Sequence, residues 1–150
     1  MHRVARKAGK PMVVAKFRRV EMRRVLVPVT ASAPLQVTGM LCRALAEVEQ
    51  TSLTFLHVAA PDESVESARD RIVDHLRVKG VAHLGPLVVV AAEDPVGAIV
   101  EEAQRHDMVV LGPSGRPGFM SAILSGKAEK IAEEAPSSVL LVRNREDSGG

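Results

Sequence analysis

A chain of 150 residues with one cysteine suits one domain around one core and excludes an internal disulfide or a cysteine-based zinc cluster. No window approaches the ~20 uninterrupted apolar residues of a membrane-spanning helix, and the short run Pro11–Ala15 is no signal-peptide core, so the sequence reads as cytoplasmic. The net charge of +2 hides an asymmetry: residues 1–24 hold nine basic side chains and one acid, net +8, and the rest hold eleven and seventeen, net −6.

Residues 1–22 read as a basic arm or leader, in which Met12 to Phe17 can pair as an extra short strand. Such an arm can meet an anionic surface. Nucleic acid is not expected, because stacking platforms need aromatics and the chain has only Phe17, Phe55 and Phe119.

From Val25 short apolar runs alternate with helical periods. Val25-Leu26-Val27-Pro28-Val29 reads as a buried strand ending at Thr30. Ser32 is placed to cap a helix and Pro34 to open it. Val37, Leu41, Leu45 and Val48 recur at steps that put one stripe on one helical face. Leu53–Val58 is the second strand. Asp62-Glu63-Ser64 opens a helix lined by Val65, Ala68, Ile72 and Leu76, which ends near Gly80. Pro86–Val90 is the third strand. Asp94-Pro95 starts a helix lined by Val96, Ile99, Val100 and Ala103. Met108–Leu111 is the fourth strand, and it runs into Gly112-Pro113-Ser114-Gly115. The last helix carries Leu124, Ala128, Ile131 and Ala135 and stops at Pro136. Val139–Val142 is the fifth strand, followed by a polar tail over 145–150.

This alternation predicts an α/β domain over 23–144, a parallel sheet between two helical layers with right-handed crossovers. The glycines of the 112–115 loop let backbone N–H groups approach an anion at a helix start, although any such fold needs a turn there. The five histidines have no metal-ligand spacing. His57, at a strand end, is read as structural, with a ribose contact as the rival reading. Ser121–Ala128 ends in Gly-Lys without the leading glycine or the hydroxyl after lysine that a P-loop requires. No nucleophile elbow is present, and Cys42 reads as a small buried thiol.

Five segments in order resemble the universal stress protein family. These are Arg24–Val29; Leu56-His57-Val58; Asp94-Pro95 through Ala103 with His106–Gly112; Gly112-x-x-Gly115 with the small pair 125–126 and Ala128–Ile131; and Ala135–Arg143. The resemblance implies a five-stranded parallel sheet of order 3-2-1-4-5, the adenine-nucleotide alpha-hydrolase-like architecture. Its ligand site lies at the switch point between strands 1 and 4. The contact set it implies is Val29, Thr30, Val58, Gly112, Gly115, Ser125, Gly126 and Lys127, taking ATP or AMP, with magnesium if ATP.

Two positions depart from the family pattern. Thr30 stands where nucleotide-binding members carry aspartate, and Ser125-Gly126 reverses the family's Gly-Ser/Thr pair, moving the hydroxyl by about 100° around a helix. Lys127 can place a cation nearby. The expectation is therefore a regulatory stress-response domain with weak or no ATP/AMP binding and no dedicated catalysis. The alternatives are a cytoplasmic regulatory domain of a membrane transporter, with the arm as juxtamembrane segment, and a slow nucleotide hydrolase. The resemblance also implies a homodimer in which Val139, Leu140, Leu141 and Val142 pair antiparallel with a second copy, covering an apolar edge.

Overall fold

The computed structural model describes residues 12–16, 23–30, 36–48, 50–111 and 128–143. Its elements are β1 (Met12–Lys16), β2 (Arg24–Pro28), α1 (Gln36–Ala46), β3 (Ser52–Ala59), α2 (Val65–Val78), a 3-10 turn (Ala82–Leu84), β4 (Leu87–Ala91), α3 (Pro95–Ala103), β5 (Met108–Leu111), α4 (Ala128–Glu134) and β6 (Ser138–Arg143). Strands β2 to β6 pair parallel in the order β6-β5-β2-β3-β4, which is the expected 3-2-1-4-5.

The near-continuous apolar runs follow from cover on both faces. Val25, Val27 and Phe55 pack against Cys42 of α1 and Ile72 and Leu76 of α2. Leu26, Leu56 and Val109 point to the other side, against Val96, Ile99 and Ala103 of α3 and Ile131 of α4. All four residues of β5 are buried.

Helix ends follow local chemistry. The Ser64 hydroxyl accepts the Ser67 N–H at 3.3 Å, and Glu63 just outside the helix pairs with Arg71. At the other end of α2, Gly80 takes φ +73°. There Gly80 N–H meets Arg77 O and Val81 N–H meets Leu76 O, each at 3.0 Å, a Schellman close that needs a left-handed residue. Asp94 precedes α3 in extended backbone, yet its carboxylate makes no capping bond.

The stripe on α1 is shorter than expected. The helix stops at Ala46, Val48 is 54% exposed, and Gln50 turns the chain at φ 70°. Val65 is likewise exposed at the start of α2. The expected capping residues Ser32 and Pro34 lie outside the described residues.

One residue fastens the amino ends of three strands. Asp107 Oδ2 accepts the N–H groups of Arg23 and Arg24 at 3.0 Å each. Its own N–H donates to Arg24 O at 2.8 Å, and its carbonyl accepts Ser138 N–H at 2.9 Å.

The short strand within the basic arm is real and changes the sheet edge. β1 pairs antiparallel with β6, from Met12↔Arg143 to Lys16↔Val139, making the sheet six-stranded. The edge of Val139–Val142 that was expected to meet a second copy is thus taken by the chain's own β1. An open strand edge is a row of unpaired backbone groups, and a strand tethered nearby reaches it first.

Candidate functional site

Chain direction sets the site. From β2 the chain steps outward through β3 to β4, then crosses back to β5 on the other side of β2. The switch point therefore lies between β2 and β5, and open α/β sheets bind ligands beyond the carboxyl ends there. At that corner β2 runs out into Val29 and Thr30. Leu26 is paired with Val109, so two residues further along the register Leu111 lies level with Pro28.

Val29 continues the ladder, its N–H donating to Leu56 O at 2.8 Å. Its side chain belongs to the core on the α1–α2 face and is 3% exposed. Its carbonyl meets His57 Nδ1 at 2.9 Å. A carbonyl only accepts, so Nδ1 carries the proton. Alternation along β3 puts His57 with Phe55 on the α1–α2 side, leaving Leu56 and Val58 with the opposite cluster. His57 thus joins two strand ends from within the core, as its structural reading had it.

Thr30 is the more informative residue. Its Oγ1 is buried and has no hydrogen-bond partner among the described residues. Continuing the β2–β3 register by two residues sets Thr30 beside Val58, which is half-buried. Apart from His57 on the opposite face, neither strand end carries an acidic or basic residue between Val25 and Thr30 or between Leu53 and Pro61.

A buried hydroxyl without a partner costs about 1–3 kcal/mol. Among the described residues three further atoms share this condition: Thr38 Oγ1, His57 Nε2 and Ser137 Oγ. Thr38 and Ser137 carried no signal in the sequence. Thr38 stands in the first turn of α1, and Ser137 precedes β6 at the other end of the sheet.

The structure thus brings together Val29, Thr30 and Val58. Gly112, Gly115, Ser125, Gly126 and Lys127 lie outside the described residues. Among the described residues no group of three or more His, Cys, Asp or Glu could hold a metal ion, and no helix is long and apolar enough to cross a membrane. Cys42 is buried on α1, and burial pushes its thiol up to about 11 against a small opposing effect of the Arg43 charge.

Comparison with known proteins agrees with this architecture. No curated protein sequence matches the chain significantly. A solved universal stress protein in complex with cAMP shares 20% identity at a TM-score of 0.57, over 82% of this chain and 98% of that one. The universal stress protein UspA from Lactobacillus plantarum shares 19% at 0.62, over 83% and 100%. A putative universal stress protein from Pseudomonas aeruginosa UCBPP-PA14 shares 15% at 0.62, over 92% of this chain and 54% of that one. These likenesses carry the fold, the adenine-nucleotide alpha-hydrolase-like one. The Universal stress protein family model matches residues 21–143, and the chain belongs to this family, named for a general role in the stress response.

Proposed function

We propose that this chain is a regulatory stress-response domain that binds an adenine nucleotide weakly at the β2–β5 switch point and carries out no dedicated catalysis. The observation that carries this reading is Thr30 Oγ1, a buried hydroxyl without a partner among the described residues, at the corner where open sheets take ligands. Such a group gains most from a ligand that supplies the missing hydrogen bond. The cAMP complex of a universal stress protein with the same fold supports an adenine ligand.

Weakness follows from the same atoms. A threonine hydroxyl accepts without charge, where a carboxylate makes a bond roughly twice as strong. With ATP bound, magnesium is held mainly by the phosphates. Gly112, Gly115, Ser125, Gly126 and Lys127 are assigned to the phosphates, with Val58 beside the base or sugar. A cytoplasmic setting completes the proposal. The transporter alternative rests on the charge of residues 1–24, of which Met12–Lys16 pair within the sheet.

Equilibrium titration with labelled ATP, AMP and cAMP, followed by a phosphate-release assay, tests the reading. The expected dissociation constants lie roughly between 0.1 and 1 mM, about −5.5 to −4 kcal/mol, with phosphate release at the rate of buffer. Micromolar affinity with turnover would establish the hydrolase instead.

A further inference from the structure

We propose that the outer edge of β4 is a docking surface for a second copy of the chain, the two β4 strands pairing antiparallel about a two-fold axis through Val89. β4 ends the sheet on the flank opposite β1 and β6, and among the described residues no strand pairs with its outer side. The surface is separate from the nucleotide corner, which lies between β2 and β5.

The ladder fixes which backbone groups that side presents. Pro86 O accepts the Phe55 N–H at 2.8 Å, and the Ala92 N–H donates to Ala59 O at 3.0 Å. Successive residues of a strand turn their N–H and C=O to opposite sides. Positions 86, 88, 90 and 92 therefore face β3, and Leu87, Val89 and Ala91 face outward. The same parity appears in the Leu87 carbonyl, which accepts Arg69 Nη1 of α2 at 3.0 Å from outside the sheet. Beyond that contact the strand carries none of the usual guards. Leu87–Ala91 holds no charge and no proline, the residues that blunt an edge. Pro86 does not serve, because the N–H it lacks would have faced β3. Apolar surface remains beside the edge: Val88 and Val90 are half-buried, Ala91 is exposed, and Val65, one turn before Arg69 on α2, is 38% exposed.

Self-complementarity singles out a second copy as the occupant. With Val89 on the axis, Leu87 stands opposite the partner's Ala91, and Val88 opposite the partner's Val90. Each outward N–H then meets an outward carbonyl, and the valines make cross-strand pairs. A carbonyl oxygen has two lone pairs, so Leu87 O keeps Arg69 while it accepts the new N–H. The register also carries the partner's Glu93 two residues past its Ala91, to the end of the interface where Arg69 sits. Alternation puts position 93 on the face of Leu87 and Val89, which pack toward α2. Arg69 and Glu93 are both exposed, so opposite charges meet twice, once at each end. An isologous pairing of this kind satisfies both edges at once and closes at two copies.

The test is sedimentation of the full-length chain together with amide hydrogen exchange read by NMR, at about 20 μM and about 1 mM. A five-residue strand makes a small interface, so association should be weak, half complete at about 100 μM. The mass should rise with concentration from 16.1 kDa toward twice that value. Exchange of the Val89 and Ala91 N–H groups should slow about fourfold between the two concentrations, following the fall in monomer by mass action. Val88 and Val90, already bonded to β3, should not change. A mass that stays monomeric at about 1 mM would overturn the proposal. So would a dimer whose formation leaves Val89 and Ala91 unprotected.

Variants of the full-length chain separate the edge from other contacts. Ala91→Pro removes an outward donor at an exposed edge position, where proline is tolerated, and should weaken association about tenfold or more, since each dimer loses two bonds. Reversing one charge, by Arg69→Glu or Glu93→Arg, should weaken it about tenfold at low salt, two pairs being affected per dimer. The two reversals together should restore it, and this arm holds even if the proline unfolds the chain. Association indifferent to either single reversal, or a double variant no tighter than the singles, would overturn the pairing.

Discussion

The carbonyl of Val29 and Nδ1 of His57 lie 2.9 Å apart and bind the ends of β2 and β3 from inside the core. Replacing His57 with alanine removes that bond and leaves a cavity in the α1–α2 layer. A loss of about 2–4 kcal/mol is expected by urea denaturation. The nucleotide response should survive, because the ring faces away from Thr30 and Val58. Loss of that response with stability intact would instead make His57 a ligand contact.

Asp107 offers a second test, at the end of the sheet away from the candidate site. Its Oδ2 takes two backbone N–H groups, of Arg23 and Arg24. Alanine here should cost about 1–3 kcal/mol, and asparagine less, since its amide oxygen can still accept. Chemical denaturation of both variants checks the order.

Gly85 sits where backbones nearly touch. A methyl group on it would overlap the carbonyl of Leu53, whose strand carries the core. Gly85→Ala should destabilise the fold by about 1–3 kcal/mol or more, read as a lowered denaturation midpoint with an unchanged slope.

The Cys42 thiol should be silent to thiol reagents at neutral pH and react fully on unfolding, because burial holds it protonated. Stability follows with a definite sign. The unfolded chain releases this proton near 9.0 and the folded one near 11, so the unfolded state is favoured progressively across that window. The thiol's contribution is complete below pH 9 and falls by roughly 2–3 kcal/mol by pH 11. Subtracting the pH profile of Cys42→Ala isolates it.

Much of this fold could be read in the sequence because burial on both faces leaves a strong local mark. Met108–Leu111 is apolar throughout and bounded by Asp107 and Gly112, and it forms β5 with those limits. Asp94-Pro95 announced the start of α3, although the carboxylate makes no cap, since proline's fixed φ alone suits that position. Val48 failed because a periodic stripe does not show where the chain leaves the helix, and Gln50 takes it out.

The least legible features join distant segments. Met12–Lys16 could be seen as a short strand, yet nothing local to it names β6 as its partner. The role of Asp107 spans more than 80 residues of chain. At the candidate site the substitution at position 30 was visible, whereas the burial of its hydroxyl without a partner among the described residues is a three-dimensional fact.

The most direct measurement is the thermal midpoint of the parent chain and of Thr30→Val with ATP, ADP, AMP and cAMP at about 5 mM, with and without magnesium. Valine keeps the shape and removes the hydroxyl. For dissociation constants of roughly 0.1–1 mM, the parent should gain about 1–2 kcal/mol, a rise of about 3–8 °C at this size, and the variant should gain little. Equal shifts in both chains, or none in the parent, would contradict a nucleotide site built on Thr30.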